Sequence, residues 1–340
     1  MVAAIGAVLV AWFLIAFSQP FAGEGLGEGR VAVNIPQGAS AGDVADILAD
    51  EDVVDNATLF EWRLRLSGKE DEIVTGPLAM ASGMSYGAAI DRLTGAGSEE
   101  GTLVIPEGYS REQIAPLVAE AGIEGDYLAA SESFKGFDPT KYGAEGDPAS
   151  LEGFLFPATY ELGPVETAGE LVGEQLQAFR ANLKQVDLSY ARKNGNLTPY
   201  DVLIIASMID REVVVPKERP LVAAVIWNRL GRGEPLAIDA STRYEYNSWE
   251  SAITDEQLAK DTPYNTRLNL GLTPTPIGNP GLASIEAAAH PADVGYLFYV
   301  VKPGTCPPQH SFAKTLAEFN QLVEQYNQAR AAAGNESPTC

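Results

Sequence analysis

The run "ASMIDREVVVPKER", residues 206–219, carries the one acid whose helical register suits it to proton-transfer chemistry. At about 100° per residue, with Val202 as zero, Asp210 falls at about 80°, Ser207 at about 140° and Arg211 at about 180°, an identifiable polar side. Glu212 falls at about 280°, between Met208 at about 240° and Ile205 at about 300°. A carboxyl among apolar neighbours loses the water that stabilises its charged form, so its pKa rises. One that still holds its proton near neutral pH can serve as a general acid, and such groups supply roughly 10²- to 10⁴-fold in rate. The same pattern also fits a core acid paired with an arginine, and Arg229, Arg243 and Arg267 are available.

Other chemistries find little support. His290 and His310 stand without HExxH spacing, no CxxC pair occurs, and neither a Gly-rich phosphate loop nor a GxSxG elbow is present, so no metal and no organic cofactor is expected. Cys306 and Cys340 suit one disulfide or two free thiols equally. A formal net charge of -23 repels phosphate backbones and excludes nucleic acid as a partner. With 340 residues, 46% apolar and 20% charged, the chain is long enough for two or three units with real cores.

The element that must hold Glu212 has strong start chemistry: Thr198 as N-cap, Pro199 at the first helical position and Asp201 at the third, with Pro216 stopping it. "KERPLVAAVIWNRLGRG" predicts a second helix ending at Gly231 or Gly233. After it come a Pro- and Gly-rich stretch, a strand in "GYLFYVV", and a last helix from Leu316 to about Ala331. Upstream, "IPQGASAGDVADILAD" from Ile35 and "IPEGYSREQIAPLVAE" from Ile105 repeat 70 residues apart, with a looser copy, "SGMSYGAAIDRL", from Ser82. Each copy places Gly-x-Ser before an amphipathic run, which reads as strand, turn, Ser N-cap, helix. The segment "FKGFDPTKYGAEGDPAS" reads as loop or linker. At the N-terminus, "MVAAIGAVLVAWFLIAF" offers 17 uncharged residues. It reads as a membrane anchor, with a signal peptide as the rival.

Beyond Leu151, "LEGFLFPATYEL", "LIIASMIDREVVVPKERPLVAAVIWNRL", "TPYNTRLNLGLTPTPIGNPG", "SIEAAAHPADVGYLFYVV" and "HSFAKTLAEFN" resemble, in order and spacing, the successive motifs of the endolytic murein transglycosylases of the YceG-like (MltG) type. The anchor and the IPxG repeats, similar to that family's LysM-like module, extend the resemblance over nearly the whole chain. It implies an enzyme of the bacterial envelope that cuts peptidoglycan glycan strands internally, with peptidoglycan synthases as further partners. The family's catalytic acid is the second Glu of an E-x-E run, so the role falls on Glu212, with Asp210 in the first position. Substrate-binding roles implied the same way fall on Glu152, on Asp239, Ser241 and Tyr244 (Ala240 stands where the family has Pro), on Tyr264, Asn265 and Thr266, and on His310. Phe154 and Phe156 are either sugar-facing rings or core.

The expected fold class is α+β: an anchor over 1–20, LysM-like β/α modules over 30–125, a loop or linker over 126–150, a mixed α/β catalytic domain over 151–331 and a tail over 332–340. One carboxyl suffices if the sugar's own 6-hydroxyl attacks C1 to close a 1,6-anhydro ring, whereas hydrolysis would recruit Asp239 as base. A tethered glycan-binding protein without activity is the reading from outside enzymology.

Overall fold

The structure, a computed structural model, describes residues 28–36, 38–94, 102–145, 148–162, 167–334 and 337–339. The expected anchor over 1–20 lies outside the described residues. Among the described residues, no helix is long and apolar enough to cross a membrane. The chain divides into two compact units, the first running to Leu103 with Ala121–Glu124 and Tyr160–Thr167 added, the second holding the remainder.

In the first unit, β1 (Glu28–Ile35) pairs antiparallel with β2 (Gly76–Ser82), with Val33 opposite Leu78. Helices α1 (Ala41–Asp50) and α2 (Ala57–Ser67) lie between the strands in sequence, and α3 (Tyr86–Leu93) follows β2. The repeated Gly-x-Ser is the reason for these boundaries. Gly38 and Gly83 turn the chain at φ +82° and +72°, angles that favour glycine, and Ser40 and Ser85 then cap α1 and α3. Ser40 completes a capping box with Asp43. Val33, Ile35, Leu48, Phe60, Leu64, Met80 and Leu93 close a core in which Tyr86 meets Phe60 edge-on at 5.9 Å. Burying each such side chain contributes about 1.5–3 kcal/mol.

Two short strands, β3 (Thr102–Val104) and β4 (Thr159–Glu161), form another two-stranded sheet. In the second unit the third repeat copy gives Gly108 at φ +79° and then α4 (Arg111–Glu120), with Ser110 and Gln113 exchanging cap hydrogen bonds of 3.3 and 3.4 Å. There follow α5 (Tyr127–Ala130), α6 (Ala168–Leu183), α7 (Ser189–Gly195), α8 (Pro199–Glu212), α9 (Arg219–Arg232), α10 (Asp239–Glu245), α11 (Asp255–Ala259) and α12 (Leu282–Ala289). The antiparallel hairpin β5 (Phe298–Lys302) and β6 (Gln309–Ala313) and the helix α13 (Leu316–Ala332) end the unit. The described residues of 126–150 are two short helical stretches joined by irregular chain, with Tyr127, Ser131 and Phe137 buried. Cys306 is disulfide-bonded.

The central element is α8. Thr198 accepts from Asp201 N at 3.1 Å while the Asp201 carboxylate accepts from Thr198 N at 2.8 Å, so both ends of the cap are satisfied before the apolar run begins. Helices α12 and α9 pack against it, and every residue from Val202 to Ile209 is buried. On the side that the wheel marks as polar, Ser207 is buried while Asp210 and Arg211 are half-buried. Ser207 and Asp210 are met by the 277–281 loop and the start of α12: Ile277 N donates to Ser207 Oγ at 3.0 Å, Gly281 N donates to Asp210 Oδ2 at 2.9 Å, and Ser284 Oγ donates to Asp210 Oδ1, while Arg211 donates to Gln113 Oε1. Phe154 is core, stacked on Tyr200 at 5.5 Å and edge-on to Phe179 at 5.2 Å.

Candidate active site

Glu212 is the last residue of α8, and Val213 beyond it is extended. The residue keeps some exposure, while its carboxyl is densely surrounded by protein. Burial pushes its pKa up, and the negative charge of Asp239 adds to the rise. Three groups oppose them: a hydrogen bond from Tyr299, the nearby His310, and the backbone N–H of Ala240 in the first turn of α10. The Tyr299 hydroxyl donates to Glu212 Oε2 at 3.0 Å. The acid is thus held by a neutral donor, and none of the three arginines open to it in the sequence pairs with it in a salt bridge among the described residues.

Those arginines have other tasks. Arg229 donates to the carbonyls of Leu297, Pro235 and Leu236 at 2.6–2.9 Å, and Arg243 to those of Ser248 and Trp249 at 3.1 and 3.2 Å. Arg267 binds Asp239 through Nε at 3.1 Å and also through Nη2.

The hairpin explains the H-x-F spacing. Residues two apart on a strand share a face, and cross-strand partners share it too. His310 lies opposite Val301 and Phe312 opposite Tyr299, so His310, Phe312 and Tyr299 stand together, with the His310 ring edge-on to Tyr299 at 5.2 Å. Glu218, reached after Pro216, anchors this face. Its Oε1 accepts from His310 N at 3.0 Å, and its Oε2 lies 2.8 Å from His310 Nδ1. Glu218 is 3% exposed: it stands at the N-cap of α9 and is the buried partner of His310.

A second carboxyl, Glu152, is enclosed by residues from several motifs distant in sequence. Oε1 accepts from Asn279 Nδ2 at 2.8 Å, and Oε2 accepts from Arg111 N at 3.1 Å and from the Tyr244 hydroxyl at 3.3 Å. Burial drives its pKa from 4.5 to about 7, although the Arg111 contact, Tyr244 and Asn279 pull against it. Asn279 also accepts from Gly153 N and Leu155 N at 2.8 and 3.0 Å and donates to Tyr109 O at 3.0 Å, which ties three loops together. Glu152 lines a cavity of about 220 Å³ with Ser110, Arg111, Tyr244, Asn247 and Tyr264. The rings of Tyr244 and Tyr264 lie 5.2 Å apart, and Tyr264 shares a 2.7 Å hydrogen bond with Thr275. Asp210, the first acid of the D-R-E run, also rises on burial, to about 6, held back by Ser284 and Gly281.

The expected site residues thus fall into three groups. Glu212, Asp239 and His310 share one electrostatic neighbourhood. Glu152, Tyr244 and Tyr264 line one cavity. Ser241, Asn265 and Thr266 are at most 2% exposed and face inward: Ser241 Oγ donates to Ile238 O at 2.7 Å, Thr266 Oγ1 accepts from Ile238 N at 2.9 Å, and Asn265 donates to Leu258 O and Lys260 O at 2.8 Å each. They build the frame on which Asp239 stands. Ala240 occupies the first turn of α10, and its backbone N–H reaches Glu212, a donor that a proline at this position would lack. Tyr299, Asn279 and Glu218 carry contacts that no motif spacing announced, and the strand-like run "GYLFYVV" was the one signal for Tyr299. Among the described residues no cluster of His, Cys, Asp and Glu could hold a metal ion.

A family model described as the YceG-like family matches residues 33–325. An endolytic murein transglycosylase of Bacillus subtilis (strain 168) is 31% identical over 87% of this chain and 84% of its own length. A protein of the same name from Streptococcus pneumoniae (strain ATCC BAA-255 / R6) is 30% identical over 79% of this chain, which spans 54% of that relative. The crystal structure of a putative YceG-like protein from Listeria monocytogenes superposes with a TM-score of 0.56 at 28% identity, covering 87% of this chain and all of that one.

Proposed function

This chain belongs to the YceG-like family, and from that premise we propose that it is an endolytic murein transglycosylase of the bacterial envelope. It cleaves the MurNAc–GlcNAc bond within peptidoglycan strands with Glu212 as the single acid and base. The observation that carries the mechanism is the Glu212 carboxyl at the end of α8, held by the Tyr299 hydroxyl with no arginine or lysine salt bridge among the described residues, where burial raises its pKa.

Protonated Glu212 gives its proton to the glycosidic oxygen as the C1–O bond breaks, and the positive charge growing on the sugar meets the fixed charge of Asp239. Glu212, now ionised, takes the proton of the 6-hydroxyl as that oxygen bonds to C1. The products are a 1,6-anhydro end and a free 4-hydroxyl, the proton on Glu212 is restored, and no water is consumed. The Glu152 cavity, with its paired tyrosines, supplies polar and ring contacts for a flanking sugar. The β1-α1-α2-β2 order supports the LysM-like reading of the first unit, and the apolar run at 1–17 supports a membrane tether that keeps the enzyme beside nascent strands.

A hydrolase using Asp239 as base is the competing mechanism, and the Arg267 ion pair speaks against it by occupying Asp239 Oδ1. Mass analysis of purified glycan strands after digestion separates the readings. Anhydro ends from the native enzyme and uncut strands with Glu212→Gln are expected. Reducing ends would overturn the mechanism, and undiminished cleavage by the variant would overturn the site.

A further inference from the structure

Glu212 has two carboxyl oxygens, and the structure treats them differently. Oε2 is taken by the Tyr299 hydroxyl at 3.0 Å, the one side-chain donor to the carboxyl among the described hydrogen bonds, beside the backbone N–H of Ala240. We infer that Tyr299 is a positioning residue for the reaction proposed above: by holding Oε2 as an acceptor it places the transferable proton on Oε1 and fixes the plane of the carboxyl toward the substrate. This rests on Glu212 being the acid.

Three observations support it. First, Tyr299 remains a donor at every working pH, because burial and the adjacent Glu212 charge hold its phenol well above the ordinary range. A phenol that never ionises can donate to the same oxygen before and after proton transfer. Second, the ring is fixed on its own strand face: His310 meets it edge-on at 5.2 Å and Phe312 packs at 6.1 Å. His310 is itself held at two points by the buried Glu218, at 3.0 and 2.8 Å. Third, the hydroxyl is reached from a strand 87 residues away in sequence, and Arg229 reinforces that strand's entry by donating to Leu297 O at 2.6 Å. Rigid second contacts of this kind are what hold a catalytic group within reach of its productive geometry.

A hydrogen bond to the charged form lowers a carboxyl's pKa, so its removal raises it. Tyr299→Phe takes away one oxygen and keeps the ring. In this variant the alkaline limb of kcat/KM should move up by about one pH unit. At pH 7 kcat should fall by roughly tenfold or more, because the proton is no longer confined to one oxygen, while KM stays near the native value. Replacing Tyr299 with 3-fluorotyrosine keeps the shape and strengthens the donor, so the limb should move the other way.

Direct titration of Glu212 by carbon-13 carboxyl shifts in the free enzyme reads the same change without turnover. Opposite displacements in the two variants support the proposal. An unmoved limb and an unmoved titration in both would mean that Tyr299 only fills space, which overturns it while leaving the assignment of Glu212 untouched. If Glu212→Gln kept full activity, the reading beneath the proposal would fail instead.

Discussion

Replacing Glu152 by Gln should make the protein relatively more stable as the pH rises. In the folded chain the Glu152 carboxyl is 3% exposed and titrates at about 7, against 4.5 when unburied. The folded state therefore holds this proton more tightly than the unfolded chain does. Between those values unfolding releases a proton, so the contribution of Glu152 to stability falls as pH rises through that window. At 1.36 kcal/mol per pH unit, the full change amounts to roughly 3 kcal/mol. Glutamine imitates the neutral carboxyl and can still accept from Asn279, but it cannot ionise. Asp210, which titrates at about 6, imposes a trend of the same sign on both proteins and cancels in the difference. Urea unfolding of the native protein and the Glu152→Gln variant at several pH values from 4 to 8 gives that difference directly. The native protein should lose roughly 3 kcal/mol relative to the variant across the series, most of it between pH 5 and 7. Parallel stability curves would show that Glu152 titrates as an ordinary carboxyl and that the cage built by Arg111, Asn279 and Tyr244 does not dehydrate it.

Three further outcomes follow from the same geometry. Thr198→Ala removes the α8 cap and should cost about 1 kcal/mol in chemical denaturation, with little effect on cleavage once folded. Phe154→Ala empties the ring cluster formed with Tyr200, Phe137 and Phe179 and should cost about 3–5 kcal/mol, visible as a lower thermal midpoint. Gly278→Ala would place a Cβ 2.2 Å from the Gly108 carbonyl oxygen. The 277–281 loop must then shift, so both stability and strand cleavage should fall, whereas Gly231→Ala, which meets nothing within 4 Å, should be tolerated.

What could be read from the sequence was what local rules dictate. Thr198, Pro199 and Asp201 announce the start of α8, and the period of 3.6 then sets Glu212 apart from Asp210 without any knowledge of its neighbours. The Gly-x-Ser copies likewise place the starts of α1, α3 and α4, because a left-handed glycine and a serine cap act within a few residues. Long-range partners were another matter. Tyr299 meets Glu212 across 87 residues, and Asn279 meets Glu152 across 127. Such pairs depend on how helices and hairpin pack, which no window of sequence contains. The wheel marks the polar side of α8 but not its partners: Ser207 accepts from Ile277 N, and Asp210 accepts from Gly281 N and Ser284 Oγ. Glu218 stands at the start of α9, but its partner His310 comes from β6, 92 residues away.

Whether Glu212 works alone, with the sugar's own hydroxyl as nucleophile, is tested most directly by cleavage in water enriched in oxygen-18. The account predicts newly formed ends that carry no oxygen-18 and weigh one water less than reducing ends. Uptake of a single oxygen-18 at each new end would show that water attacks C1, and the one-carboxyl mechanism would then be wrong.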